Sequence, residues 1–334
     1  MNTADFSYVL PPDRVAQTPA VPRDSSRLFV LDRKTGERQH VHFNDIGAFL
    51  RSGDLLVVNE SKVFKARLRT TAGIEIFLLR PDGNRWIALA KPGKKIRTGS
   101  LLTFSDGTSA SVLEKFEDGT VAIDFHKTPE DVFSWTDAVG EVPVPPYISK
   151  QHAVHGSRLS ESSDYQTVYA KTIGSVAAPT AGFHFTPELI EQLTAHGVRF
   201  TSLTLHVGLG TFRPIKTDML ENHVMHEEWA AVPEETLAAI AETKKRGGRV
   251  IAVGTTTVRA LESGVRHGFT NMFITPGYDF KVIDGLITNF HLPKSTLLVL
   301  VSAFAGRERI LDCYQEAIRE GYRFYSFGDA MLLL

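Results

Sequence analysis

The spacing of apolar and polar residues changes twice along this chain, and each change marks a part of it. Short apolar runs at residues 28–32 and 40–43, joined by a Lys-Thr-Gly turn, read as two strands; a short helix over 44–50 and a buried strand over 55–58 follow. From residue 61 to 148 the rhythm is different. Short strands are broken about every ten residues by PDGN, KPGK, RTGS, SDGT and EDGT, with few helical stretches between, as in an all-β barrel or sandwich. The rigid VPVPP segment at 142–146 closes it. After residue 174, helical spacing over 233–246 is followed by a buried strand over 249–253, and this alternation continues. Helices alternating with apolar strands give an α/β layer with a mixed sheet. The predicted fold is therefore α/β: a mixed-sheet α/β domain of residues 1–60 and 149–334, with an all-β domain, 61–148, a barrel or a sandwich, inserted in it.

Within the α/β part, the stretch 165–213 organises the chemistry. His184 lies in GSVAAPTAGFHFT and His206 in TLHVGLGTFRP, both among small or apolar residues that let a ligand or a neighbouring backbone come close. The helix between them has a full set of end signals: Thr186 as cap, Pro187 in the first turn, Glu188 against the dipole and Gly197 at the end. A strand over 198–207 then carries His206, so both histidines are expected at strand ends on one side of the sheet, where open α/β sheets put their ligands.

Composition narrows the function. A chain of 334 residues is long enough for two cores, and 43% hydrophobic with 22% charged residues describes an ordinary folded protein. The single cysteine, Cys313, leaves no intrachain disulfide, cysteine-ligated zinc or cysteine-held iron–sulfur cluster, and suits a reducing cytoplasm. The start of the chain lacks a basic, apolar leader, and the late apolar run 297–305 is too short to span a bilayer, so no membrane partner is expected. At a net charge of −1, a nucleic acid must be held by a local patch. Residues 61–105 offer one: ten Lys or Arg, among them Lys62, Lys65, Arg67, Lys94 and Lys95, stand against Glu75 and Asp82. Residues 106–164 are net acidic, and folding can interleave the two.

Further runs carry candidate chemistry. RDSSR places Arg23 and Arg27 beside two hydroxyls, a set able to hold carboxylate or phosphate and equally a solvated turn. HVMHEEW offers His223, His226 and Glu228 for acid–base work or for structural burial; a mononuclear metal site is conceivable, but the spacing matches neither the helical zincin motif nor a cupin pattern. GTTTVRALES follows a buried strand and opens a helix, so Thr255 and its neighbours form an anion cradle or an ordinary capped start. ITNFHLPKST sets Asn289, His291, Lys294 and Thr296 in one short loop, which asks for a ligand. YRFYSFGDAM interleaves aromatics with Arg323 and Asp329, for base stacking or as a core strand.

Taken together, the runs FSYVLP, Arg23-Asp24 with Ser26-Arg27-Leu28, GSVAAPTAGFHFT, TLHVGLGTFRP, HVMHEEW, AVGTTTVRALES, ITNFHLPKSTLLVLVSAF and YRFYSFGDAML resemble the S-adenosylmethionine:tRNA ribosyltransferase-isomerase family of queuosine biosynthesis, from Phe6 to Leu333. Departures are Glu60 where the family has Asp, Phe183 for Leu and Glu227 for Ser. The resemblance implies an α/β domain with an inserted β-barrel. It also implies transfer and isomerisation of the ribosyl part of S-adenosylmethionine onto the aminomethyl-deazaguanine (pre-queuosine) at the tRNA wobble position, giving epoxyqueuosine, adenine and methionine. The partners implied are that tRNA and S-adenosylmethionine as cosubstrate, with no metal or iron–sulfur cluster. On this basis His184, His206 and His226 form the expected acid–base set with Glu228 orienting one of them; Arg23, Arg27, Arg213, Thr255 and Arg259 are expected to hold carboxylate or phosphate groups; Asn289, His291, Lys294 and Thr296 are expected to bind the adenosine or the flipped deazaguanine. Two other classes share some of these features. An S-adenosylmethionine-dependent tRNA methyltransferase would leave S-adenosylhomocysteine and lacks its glycine-rich first loop here; a non-catalytic RNA-binding protein would not need histidines in glycine-rich apolar loops.

Overall fold

The structure is a computed structural model and describes residues 1–145, 147–148, 165–208 and 214–334. Contacts divide the chain into two compact units, one of Met1–Ser61, Pro146–Thr172 and Pro179–Leu334, the other of Lys62–Pro145 and Ile173–Ala178.

The larger unit is built on a nine-stranded mixed sheet. Its order is His267–Thr270, Glu228–Ala231, Arg199–Leu205, Leu55–Asn59, Val250–Val253, Gly285–Asn289, Ala330–Leu333, Arg27–Leu31, Arg38–His42. The centre, from Arg199–Leu205 to Gly285–Asn289, is parallel; Leu55–Asn59, Val250–Val253 and Gly285–Asn289 are buried along their whole length and mostly apolar because both faces are covered, whereas the first four residues of Arg199–Leu205 are only half-buried. Antiparallel strands flank it: Glu228–Ala231 on one side, Ala330–Leu333 on the other. One face packs Leu56, Val58, Ile251 and Ile287 against Phe43 and Ile46 of the 3-10 segment Phe43–Phe49 and against Leu189 and Leu193 of the helix Pro187–Ala195. The strands expected over 28–32, 40–43, 55–58 and 249–253 form within a residue or two of their expected bounds. The helix expected over 44–50 is a 3-10 segment instead, ended by Leu50 in an extended conformation.

Two side chains index the parallel strands. At their amino ends, Asp54 accepts from the Arg249 guanidinium, with Nε to Oδ1 at 3.1 Å and Nη2 to Oδ2 at 2.5 Å, and from the Arg249 amide at 3.2 Å. At the carboxyl ends, Asn59 does the same work. Its Oδ1 accepts from the amides of Ser61 (3.1 Å) and Leu205 (3.0 Å), and its Nδ2 donates to Leu205 O (2.9 Å) and Thr256 Oγ1 (3.3 Å). Asn59 is fully buried, and all of its side-chain donors and acceptors are used.

The smaller unit is a six-stranded antiparallel sheet in the order Arg67–Arg69, Glu75–Asp82, Arg85–Lys91, Thr120–Asp124, Ser109–Lys115, Leu101–Thr103. Bulges between Leu78 and Arg80 and between Ala122 and Ile123 bend it. A bridge between Thr70 and Phe104 links the two outermost strands. Composition did not announce the helix Pro129–Val139, capped by Thr128, whose Phe133 packs on Phe64 and Trp86 and whose Trp135 packs on Phe104 and Phe125. Part of the basic excess is neutralised within the unit: Arg85 pairs with Asp82 at 2.8 Å, and Arg67 lies 3.9 Å from Glu75. Lys65 is half-buried and donates to Asp137 O, whereas Lys62, Lys94 and Lys95 are exposed.

Candidate active site

Because the central strands are parallel and their neighbours on one side antiparallel, one edge of the large sheet collects the carboxyl ends of Leu55–Asn59, Arg199–Leu205, Val250–Val253 and Gly285–Asn289 with the amino ends of Ala330–Leu333 and Arg27–Leu31. Chain tracts far apart in sequence thus deliver Ser26, Ser61, His206, Thr255, Asn289 and Asp329 to one rim. Crevices at such carboxyl ends are where open α/β sheets bind ligands.

His184 reaches the rim by a route other than a strand end. It closes a buried 3-10 turn, Thr180–His184, that packs on the Gly285–Asn289 strand. Gly182 lets that turn pack closely, since a Cβ there would lie 2.0 Å from the Tyr169 hydroxyl and 2.7 Å from Thr167 Cγ2, and one of them would have to shift. The close approach expected of small residues beside a histidine is therefore made by a tyrosine. The His184 ring stacks on Phe43 at 5.0 Å, and both its nitrogens are engaged: Nδ1 with Ser26 Oγ at 2.7 Å, Nε2 with Asn289 Nδ2 at 3.1 Å. Asn289 Nδ2 also donates to Tyr325 O at 3.2 Å, and a flipped amide would set oxygen against that carbonyl. The network therefore assigns the lone pair to Nε2 and the proton to Nδ1, which donates to Ser26. Burial, with the Arg323 and Arg23 guanidiniums nearby, pushes the ring down to about 3 and keeps it neutral. Arg23 lies over Phe183 and donates to Gln166 O at 2.6 Å; with Ser26, His184, Ser326 and Phe327 it lines a small cavity.

His206 follows directly on its strand. Its Nδ1 meets Ser61 Oγ at 2.8 Å, and its half-buried ring lies flat on Trp229 at 5.0 Å and 17°. Burial alone lowers it to about 4. Two residues on, the Gly208 amide donates to Glu228 Oε1 at 2.9 Å, and Glu228 Oε2 is ion-paired with Arg259 Nη1. Both partners are buried, at 4% and 2% side-chain exposure. Arg259 Nε donates to Met272 O at 3.0 Å. Of the two adjacent acids, Glu228 is the enclosed one and Glu227 is exposed. Glu228 holds an arginine and a backbone amide here, where the sequence suggested that it orients a histidine.

Gly254 turns from the Val250–Val253 strand into the helix Thr255–Glu262 with φ of 93°, in the left-handed region, which leaves the first amides of the helix facing the rim. Thr255 is buried at that start. His291 is buried with Nε2 on Thr288 Oγ1 at 2.8 Å, and burial lowers it to about 3. Lys294 is exposed with φ of 56°, and Ser295 caps the helix Thr296–Ala305. Three expected binding residues carry buried polar atoms without a partner among the described residues: Arg259 Nη2, Asn289 Oδ1 and Thr296 Oγ1. Such atoms are rare in native folds and call for a ligand or another explanation. Other candidates lie apart. Arg27 turns to the Tyr322 ring, 3.9 Å away, and to Glu320 O; His226 is exposed; Arg213 is outside the described residues. Sequence reasoning missed Ser26, Ser61 and Asn59, of which only the hydroxyl-rich RDSSR run gave any signal. Among the described residues, no cluster of His, Cys, Asp and Glu has metal-binding geometry, and no helix is long and apolar enough to cross a membrane.

A mixed α/β sheet with a polar, histidine-bearing rim at its carboxyl ends, and a separate antiparallel sheet unit, defines the class. The queuosine biosynthesis protein family matches residues 3–333 of this chain. Proteins named S-adenosylmethionine:tRNA ribosyltransferase-isomerase from Moorella thermoacetica, Thermotoga maritima and Desulfitobacterium hafniense are 50%, 49% and 49% identical to it, over 100% of both chains in each case. The crystal structure of S-adenosylmethionine tRNA ribosyltransferase from Thermotoga maritima superposes with a TM-score of 0.57 at 40% identity, covering 99% of this chain and 100% of that one. The chain belongs to the queuosine biosynthesis protein family.

Proposed function

We propose that this chain is an S-adenosylmethionine:tRNA ribosyltransferase-isomerase, which transfers and isomerises the ribosyl moiety of S-adenosylmethionine onto the pre-queuosine base of tRNA. Identity of about half over the full length of three proteins of that name carries the reading. The reaction needs a base for the ribose carbon beside the sulfonium and an acid for departing adenine; the acid–base set is His184, His206 and His226. The neutral His184 and His206 rings support this at physiological pH. Arg259 keeps Nη2 uncommitted beside Glu228 and, with Arg213 and Thr255, receives the methionine carboxylate or a phosphate. Arg23 and Arg27 belong to the same anion-binding group. Asn289, His291, Lys294 and Thr296 take the adenosine or the deazaguanine, for which the unpartnered Asn289 Oδ1 and Thr296 Oγ1 are suited acceptors. Lys62, Lys65, Arg67, Lys94 and Lys95 meet the tRNA backbone. We assign residues 61–148 to an inserted barrel domain and 1–60 with 149–334 to the α/β domain; the Thr70–Phe104 bridge supports barrel closure. We place the reaction in the cytoplasm, without a metal or iron–sulfur cluster, in line with a single, buried cysteine.

The test is incubation of the protein with S-adenosylmethionine and tRNA carrying the aminomethyl-deazaguanine. Free adenine and methionine should appear together with a matching gain in tRNA mass. S-adenosylhomocysteine in their place would refute the reading in favour of methyl transfer.

A further inference from the structure

Three buried or half-buried histidines serve the rim, and their surroundings leave them unequal. His184 has both ring nitrogens committed, to Ser26 and Asn289. His291 is enclosed, at 8% exposure, with Nε2 on Thr288. His206 differs: Nδ1 is held by Ser61, while Nε2 has no partner among the described residues and the ring is only half-buried. We propose that His206 takes the proton from the sulfonium-bearing ribose carbon through Nε2, and that Ser61 is the positioning residue that holds the ring for it; this rests on the ribosyltransferase reading above.

The placement is over-determined. Asn59 fixes the amide of Ser61 and both backbone groups of Leu205, the residue before His206, so serine and histidine are set against each other by one buried amide. Trp229 covers one ring face at 17°, which stops the imidazole from tilting and leaves its in-plane edge for proton transfer. A base at Nε2 requires the proton on Nδ1, with Ser61 Oγ accepting it. The C–H bond breaks, its electron pair stays on the carbon beside the sulfonium, and an N–H bond forms at Nε2; the imidazolium keeps its bond to Ser61. The ring is neutral before that step because burial alone shifts it. Of the charged or titratable groups on the packed strands, Glu228 is closed on Arg259, and His267 lies edge-on beyond the Trp229 ring.

The experiment compares wild type, His206→Gln, Ser61→Ala and Ser61→Thr in S-adenosylmethionine binding, single-turnover adenine release with modified tRNA, and deuterium entry at the ribose carbon from heavy water. His206→Gln should bind the cosubstrate and lose about 10²–10⁴-fold in release, with no deuterium entry. Ser61→Ala should lose about 10- to 100-fold in kcat with little change in KM, and Ser61→Thr should recover most of it. Wild type turning over with His206→Gln within tenfold of it overturns the proposal alone, as does a Ser61→Ala effect confined to KM. Wild type that releases no adenine overturns the family reading and the proposal with it. If His206→Gln does not fold, the kcat loss in Ser61→Ala and its recovery in Ser61→Thr still decide.

Discussion

Replacing Glu228 with Gln tests whether the buried ion pair is a structural joint of the rim. The variant keeps shape and an acceptor for the Gly208 amide but leaves the Arg259 guanidinium, 2% exposed, without a counter-charge. Exposed ion pairs contribute about 0–1 kcal/mol, and the Arg266–Glu234 pair, at 71% and 77% exposure, is an internal control of that kind. Breaking a buried pair from one side costs about 3–5 kcal/mol, because the remaining charge is stranded out of water. Trp86 and Trp135 belong to the smaller unit and Trp229 to the larger, next to Glu228 in sequence, so Phe at the first two positions makes tryptophan fluorescence a probe of the larger unit alone. Urea unfolding in that background should show Glu228→Gln less stable by about 3–5 kcal/mol, Glu234→Gln within 1 kcal/mol of the parent, and Glu228→Gln with Arg259→Met more stable than Glu228→Gln alone. A Glu228→Gln loss below about 1 kcal/mol, or a double variant no better than the single, would refute the reasoning.

Other expectations follow from the same geometry. His184, His206 and His291 are lowered in the fold from 6.5 to about 3, 4 and 3, so the unfolded chain binds more protons below 6.5. The stability these neutral rings contribute is complete above about pH 6.5 and is lost as pH falls towards 3. The slope should approach at most about 4 kcal/mol per pH unit, measurable by urea titration across that window, and an unfolding free energy flat between pH 7 and 4 would contradict it. Gly182→Ala should cost about 1–3 kcal/mol through collision with Tyr169 and Thr167, seen as a lowered melting temperature; an unchanged one would mean the turn has room that the distances deny. Charge reversal at Lys94 and Lys95, both exposed, should weaken tRNA binding and flatten its salt dependence while leaving S-adenosylmethionine affinity alone; tRNA affinity equal to wild type would remove these lysines from the interface.

The apolar rhythm located the central strands because strands buried on both faces must be apolar, and the Thr186-Pro187-Glu188 signal located its helix because end groups are satisfied locally. Asn289, Arg259 and Thr296 stood out as candidates for a related reason: they are polar groups inside apolar runs, and in the fold each carries a buried polar atom without a partner among the described residues. What could not be read was pairing across distance. Nothing near His206 in sequence points to Ser61, 145 residues away, or near His184 to Ser26, 158 residues away. Arg27 shows the converse. It shares the RDSSR run with Arg23, but it begins a strand whose geometry turns its side chain onto Tyr322, so proximity in sequence did not become proximity in space.

Strand order also sets a condition on synthesis. Among the described residues, the Arg27–Leu31 strand, made first of the nine, reaches the centre of the sheet by backbone pairing only through Ala330–Leu333, made last. The serine that cradles His184 directly precedes that early strand, so a nascent or truncated chain lacking residues 330–333 loses the strand that pairs with Arg27–Leu31 and with Gly285–Asn289, which carry Ser26 and Asn289 to His184. The strand that joins the two sides of the rim is thus the last of the nine to be synthesised.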